Sequence, residues 1–225
     1  MKVTIPENQT STILSALDFY IRVLIGQYDV FSDSQRAFLF YGNEQKGKRD
    51  ARKILMNLRD QIIPELHALG ITGNYGIYNR DRDVRAGEAY NIYQEIRYRR
   101  ASFYHPEGGF SNSFDKPLWA GDDPYPRPSV SFAWNKGGGA VVMKAELCRE
   151  QLQIVLDALE MCRNHIQRQY VKLFRYLSES QKVQTLAKEL EDACQGKDVL
   201  GKQEEGQSGK IEAAIRELKK NIGKE

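Results

Sequence analysis

MKVTIPENQTSTILSALDFYIRVLIGQY (1–28) and MKAELCREQLQIVLDALEMCRNHIQRQY (143–170) align without a gap at an offset of 142 residues. Eight positions are identical: Met1/Met143, Lys2/Lys144, Gln9/Gln151, Leu14/Leu156, Ala16/Ala158, Leu17/Leu159, Gln27/Gln169 and Tyr28/Tyr170. Average residue usage gives about two identities by chance over such a length. Each copy reads as a short alternating strand followed by an amphipathic helix. In the first, MKVTIP ends on Pro6 and Thr10 or Ser11 is the expected N-cap. Ile13, Leu14, Leu17, Tyr20, Ile21, Leu24 and Tyr28 then recur at spacings of three and four. An internal duplication of 1–28 in 143–170 would set both strands in one sheet and pair both helices. The competing reading is that amphipathic helices share leucine, alanine and glutamine by composition. Gly26 lies inside the first stripe, where glycine costs about 1 kcal/mol against alanine, so a close contact is expected there.

Outward from these copies, Ala51, Ile54, Leu55, Leu58 and Ile62 mark a second helix that meets Pro64. GITGNYGIYNRD (70–81) is a glycine- and tyrosine-rich loop, and a third helix spans about Asp83 to Phe103. Residues 104–128 hold five of the seven prolines, and a loop of that length within a domain is usually functional or disordered. SVSFAWN (129–135), KGGG and AVVMK (140–144) read as a hairpin with a glycine-rich turn. One long helix is expected from about Glu146 to Leu177, another from Ser180 to Cys194. The fold class is therefore α+β: mainly a helical bundle, with a small antiparallel sheet of strand 1–5 and hairpin 129–144. The domain organisation is a single body over 1–194, a linker over 195–210 and an amphipathic C-terminal helix over 211–225. That helix is too short to stand alone. Its stripe of Ile211, Ile215, Leu218 and Ile222 needs either its own body or a second copy, which makes a homo-oligomeric contact one expectation.

The 225 residues carry 33 Lys+Arg and 30 Asp+Glu, a net charge of +3. Nucleic-acid-binding domains usually show a clear basic excess, so any such role must rest on a local patch. Three cysteines without a CxxC pair fit a reducing compartment. MKVTIPENQT lacks the apolar centre of a secretory signal. No apolar run approaches the roughly 18–20 residues of a membrane span. A cytoplasmic protein, without membrane partners, is the expectation.

Signatures of common chemistry are missing: no HExxH, P-loop, GxSxG or dinucleotide fingerprint occurs. Neither a cofactor nor a metal site is expected. His67 and His165 read as packing or surface residues, since His165 with Cys162 alone does not make a zinc site. His105, beside the irregular segment, is the histidine to test for activity. Asp122 and Asp123, with Trp119, form a second loop candidate: paired carboxylates serve acid–base or metal chemistry, whereas DD before proline is commonly turn chemistry. The aromatic and basic set is richer. Tyr75, Tyr78, Tyr90, Tyr93, Tyr98, Phe103 and Tyr104 are interleaved with Arg80, Arg82, Arg85, Arg97, Arg99 and Arg100. Rings stack on bases and guanidinium forks grip phosphates. Helical spacing sets Tyr90, Tyr93, Arg97 and Arg100 on one face. With Tyr75 and Tyr78 they are the candidate ligand-binding residues. The alternative is a core stripe of tyrosines rimmed by solvated arginines.

ALDFYIRVLIGQY (16–28), NYGIYN (74–79) and AYNIYQEIRYR (89–99) resemble small uncharacterised proteins encoded by phages and prophages. The residues that carry the resemblance are Ala16, Leu17, Tyr20, Arg22, Gly26, Gln27, Tyr28, Tyr75, Gly76, Ile77, Tyr78, Ile92, Tyr93, Gln94, Ile96 and Arg97. It covers about the first 100 residues and leaves the hairpin and tail unexplained. It implies a genomic setting and a host-cell cytoplasmic location, with no assigned activity. Three functions follow as expectations. The first is a non-catalytic phage or prophage accessory protein, of counter-defence type, that sequesters a nucleotide signal or blocks a host protein. The second is a nucleic-acid-binding module, the less favoured partner class. The third is an enzyme of nucleotide metabolism using the 104–128 loop.

Overall fold

The computed structural model describes residues 1–31, 45–70, 73–107, 117–120, 126–135, 139–167, 169–195 and 202–222. Strand β1 (Lys2–Pro6) alternates, turning Val3 and Ile5 inward. Strands β2 (Ser129–Trp134) and β3 (Val141–Glu146) form the expected hairpin, and β3 is the central strand of an antiparallel β1-β3-β2 sheet. Helices α1 (Glu7–Leu24), α2 (Gln45–Ile62), α3 (Val84–Tyr104), α4 (Arg149–Ile166), α5 (Tyr170–Arg175), α6 (Gln181–Gln195) and α7 (Lys202–Ile222) complete the described structure, with 3-10 turns at Tyr28–Phe31 and Pro64–Leu66. The fold is α+β and mainly helical, as its sequence patterning predicts.

The β1–α1 and β3–α4 units are structurally equivalent at the sequence offset. Both helices have 18 residues, with N-caps at Pro6 and Cys148 and C-caps at Ile25 and Gln167. After each helix the chain closes the same hydrogen bond, Gln27 N to Arg22 O at 2.8 Å and Gln169 N to Asn164 O at 2.7 Å. The ladder shares the relation: Lys2 pairs with Glu146 and Thr4 with Lys144, about a centre at Val3↔Ala145. Exchanging the two copies maps this register onto itself, so the strands pair about a local two-fold axis. Inward positions match too: Val3/Ala145, Ile5/Leu147, Ile13/Val155, Leu17/Leu159, Leu24/Ile166 and Tyr28/Tyr170 are all buried.

Packing extends the symmetry. α1 packs on α4, α3 on α1, α7 on α4, and α2 on α6. The centre is a ring cluster in which Phe31 meets Phe19, Tyr28, His165, Tyr170 and Phe174 at centroid distances of 5.3–6.4 Å. His165 stacks on Phe19 at 4.8 Å, which is a packing role.

Several expected boundaries differ. α1 begins at Glu7, capped by Pro6 with no side-chain cap bond, not at Thr10 or Ser11; Thr10 is buried instead. The helix expected over 146–177 is interrupted after Ile166, where the Gln169–Asn164 bond turns the chain before α5. Gly26 does mark a close approach. It sits at φ +84°, beyond the end of α1, and a Cβ there would lie 2.3 Å from Leu66 Cδ1. Nine residues assigned to the linker are helical, because α7 starts at Lys202. Ile211, Ile215 and Leu218 of the α7 stripe are buried against this chain's own α4, α1 and β1, so the expected homo-oligomeric contact through them is already occupied. Among the described residues no helix is long and apolar enough to cross a membrane.

Candidate functional site

The outer face of α3 is built by spacing. Its inner side carries Ile92, Ile96 and Ala89 to the core, with Tyr90 half-buried against it, and the helical spacing sets Arg97 and Tyr104 on the exposed side. At its C-terminal end, Arg97, Arg100, Ala101, Tyr104 and His105 join Leu14 of α1 around an open cleft of about 340 Å³. Three of the sequence candidates, Arg97, Arg100 and His105, thus converge, although His105 was assigned to the loop rather than to the helical face. His105 gets there as the C-cap of α3, its N–H bonded to Ala101 O.

Within the cleft, Arg100 is held by α1. Its guanidinium donates to Glu7 Oε1 at 2.6 Å and to Ser11 Oγ at 3.1 Å. Burial, and then the Glu7 carboxylate beside it, raises the Tyr104 hydroxyl above its ordinary range. Arg97 is exposed and has no ion pair among the described residues. The cleft opens onto an aromatic surface. The Phe103 ring lies 5.1 Å from Tyr104, 6.0 Å from Phe132 and 5.9 Å from Trp134, and Trp134 is 63% exposed. Val130, Phe132 and Trp134 share one face of β2, which runs from core to solvent over the end of α3.

Other candidates lie elsewhere. Tyr78 is 64% exposed and meets Tyr90 edge-on at 6.3 Å, further along α3. Burial, then the hydrogen bond with Tyr78, pushes the Tyr90 hydroxyl up to about 12. Tyr90 and Tyr93 both pack half-buried against the core, as the alternative of a core stripe of tyrosines requires. Tyr75 does not join the cleft: its hydroxyl bonds Glu65 Oε2 at 3.2 Å in a separate concavity with Asp81, Asp83 and Arg85. Trp119 is covered by the Arg127 guanidinium, 4.3 Å from its ring centroid. Its segment is tied to α3 by Ala120 N donating to Asn91 Oδ1 at 2.8 Å. Asp122 and Asp123 lie outside the described residues. Among the described residues no group of three His, Cys, Asp or Glu is arranged to hold a metal ion.

No family model, no curated protein and no solved structure matches this chain.

Phe132 and Trp134 are the site residues that sequence reasoning missed. SVSFAWN identifies a strand, and its alternation puts Phe132 and Trp134 on one face. Nothing local says that this face overhangs the end of α3. The arrangement offers two guanidinium groups, one of them already balanced by Glu7, beside an imidazole and a platform of rings. Such a surface can grip an anion and stack a flat ring.

Proposed function

We propose that this chain is a non-catalytic binding protein that holds a nucleotide in the α1–α3 cleft, as an accessory protein of the phage or prophage class its sequence resembles. The observation that carries the reading is the adjacency of Arg97 and Arg100 to the Tyr104–Phe103–Trp134 ring surface. Guanidinium forks take phosphate oxygens, and the exposed indole takes the base. A cleft of about 340 Å³ sits at the small end of ligand sites, roughly 300–1,000 Å³, and suits a mononucleotide.

Adenosine and guanosine mono- and diphosphates, titrated by calorimetry, test it. Arg97→Gln and Trp134→Ala should each weaken binding about tenfold, a loss of about 1.4 kcal/mol. Glu7→Gln should tighten it, because the ligand phosphate then no longer competes with a carboxylate for Arg100. No saturable signal with any of these nucleotides, or equal affinity in the Arg97 variant, rejects the proposal. A second reading is a single-stranded nucleic acid bound across α3, favoured by the exposed rings of Tyr78 and Trp134. That reading requires an oligonucleotide to bind more tightly than its mononucleotide, with affinity falling steeply as salt rises.

A further inference from the structure

The bend between α4 and α5 encloses a second cleft of about 340 Å³, lined by Arg163, Asn164, Lys172, Arg175 and Tyr176. Its charge is one-sided. Arg163 reaches a carboxylate only at 3.9 Å, on Glu212. Lys172 Nζ donates to the neutral Gln169 amide at 3.0 Å. Arg175 is exposed, and among the described residues neither it nor Lys172 has an ion-pair partner. Tyr176 is fixed as a wall, because its hydroxyl donates to Glu160.

Helix ends explain part of this. Arg163 stands in the last turn of α4, and Lys172 and Arg175 in the last turn of α5, where carbonyl ends favour cations. They do not explain Asn164. It is 2% exposed, and its buried Oδ1 has no hydrogen-bond partner among the described residues. A buried, unpaired amide oxygen is costly and calls for a donor. In a cleft ringed by three cations, a ligand that supplies both an anion and an adjacent hydroxyl satisfies every group at once.

We infer that this cleft is a binding site for a sugar phosphate, either free or as the ribose-phosphate part of a nucleotide. Arg163, Lys172 and Arg175 take the phosphate, and Asn164 Oδ1 accepts a sugar hydroxyl. The site shares no residue with the α1–α3 cleft and does not depend on it.

Calorimetric titration with inorganic phosphate, ribose 5-phosphate and adenosine monophosphate tests the inference, in a background carrying Arg97→Gln and Arg100→Gln. Ribose 5-phosphate should bind about tenfold more tightly than inorganic phosphate, the gain of roughly one hydrogen bond. Arg175→Gln, a change at an exposed position, should abolish binding of both. Asn164→Leu, which keeps the volume, should erase the preference for the sugar and leave phosphate affinity unchanged. Adenosine monophosphate weaker than ribose 5-phosphate identifies a free sugar phosphate as the ligand; the reverse order identifies a nucleotide. Absence of saturable binding overturns the inference, as does binding that survives Arg175→Gln. If Asn164→Leu does not fold, equal affinity for phosphate and ribose 5-phosphate in the parent protein overturns it instead.

Discussion

Gly26 shows how one residue holds two turns together. Its φ of +84° lies in the left-handed region, and Leu66 Cδ1 stands 2.3 Å from where a Cβ would project. The backbone term alone costs an L residue roughly 1–2 kcal/mol, while the tip of Leu66 can yield only into a filled interior. Gly26→Ala should therefore destabilise the fold by about 2 kcal/mol, read as a lower urea midpoint at unchanged m-value. Arg59 serves the same corner from the other side. Although fully buried, it donates to the carbonyls of Leu66 at 2.8 Å and Leu69 at 2.7 Å, and to Asp60 at 2.8 Å. Its charge is thus spent on holding the Leu66 and Leu69 carbonyls in place. A sequence reader sees Arg59 as one more surface arginine on a basic helix. Only the folded chain separates a buried structural cation such as Arg59 from an exposed one such as Arg97.

At the scale of elements, equivalent positions in the two strand–helix units have unequal partners. Gln151 completes a capping box: its Oε1 accepts from Cys148 N at 2.9 Å, and its own N–H donates to Cys148 Sγ at 3.4 Å. Its Nε2 also donates to Glu88 and to Pro126 O. Gln9 is its counterpart, but the matching cap is Pro6, which has no N–H to give, and the buried Gln9 Oε1 has no partner among the described residues. Gln151→Leu should cost about 1–3 kcal/mol, since it removes the capping-box bonds and one donor each to the Glu88 carboxylate and the Pro126 carbonyl, whereas Gln9→Leu should be neutral or mildly stabilising. Thermal melts of the two variants decide this, and equal losses would refute it. The strands, their faces and most helices were legible because burial follows periods of 2 and 3.6. The breaks were not: Pro6 capping a helix, or the turn after Ile166, depend on hydrogen bonds that periodicity does not encode. The same limit applies to the cleft. Helical spacing put Arg97 and Arg100 together, but Trp134 joins them through the packing of β2 on α3, a tertiary choice. Tyr75, grouped with them by sequence nearness, follows the loop away to Glu65.

For the whole molecule, the question is whether α7 is an appendage or part of the core. Glu160 of α4 bears on it: burial would raise its carboxyl, but the Tyr176 hydroxyl and Lys219 Nζ, at 2.9 Å, hold it below its ordinary value. A depressed folded-state pKa stabilises above the unfolded value of about 4.3. That contribution disappears as pH falls through the folded value. The stability gap between the wild type and Glu160→Gln should thus be full at neutral pH and close in acid; a gap independent of pH would show that Lys219 does not tie α7 to α4. Burial weighs more than this one contact. Ile211, Ile215 and Leu218 are at most 5% exposed, seated on α4, α1 and β1. Burying such side chains contributes about 1.5–3 kcal/mol each, roughly 5–9 kcal/mol for the three. A whole domain is stable by about 5–15 kcal/mol. Removal of residues 202–225 should therefore leave a chain that is unfolded or aggregated, with loss of the cooperative melt in circular dichroism. A truncated chain that stays monomeric and melts within a few degrees of the parent would mean that α7 is a detachable arm and its stripe is open to a partner. The two-fold relation argues for the first outcome. α7 lies on α4 as α3 lies on α1, and no one would expect this fold to survive without α3.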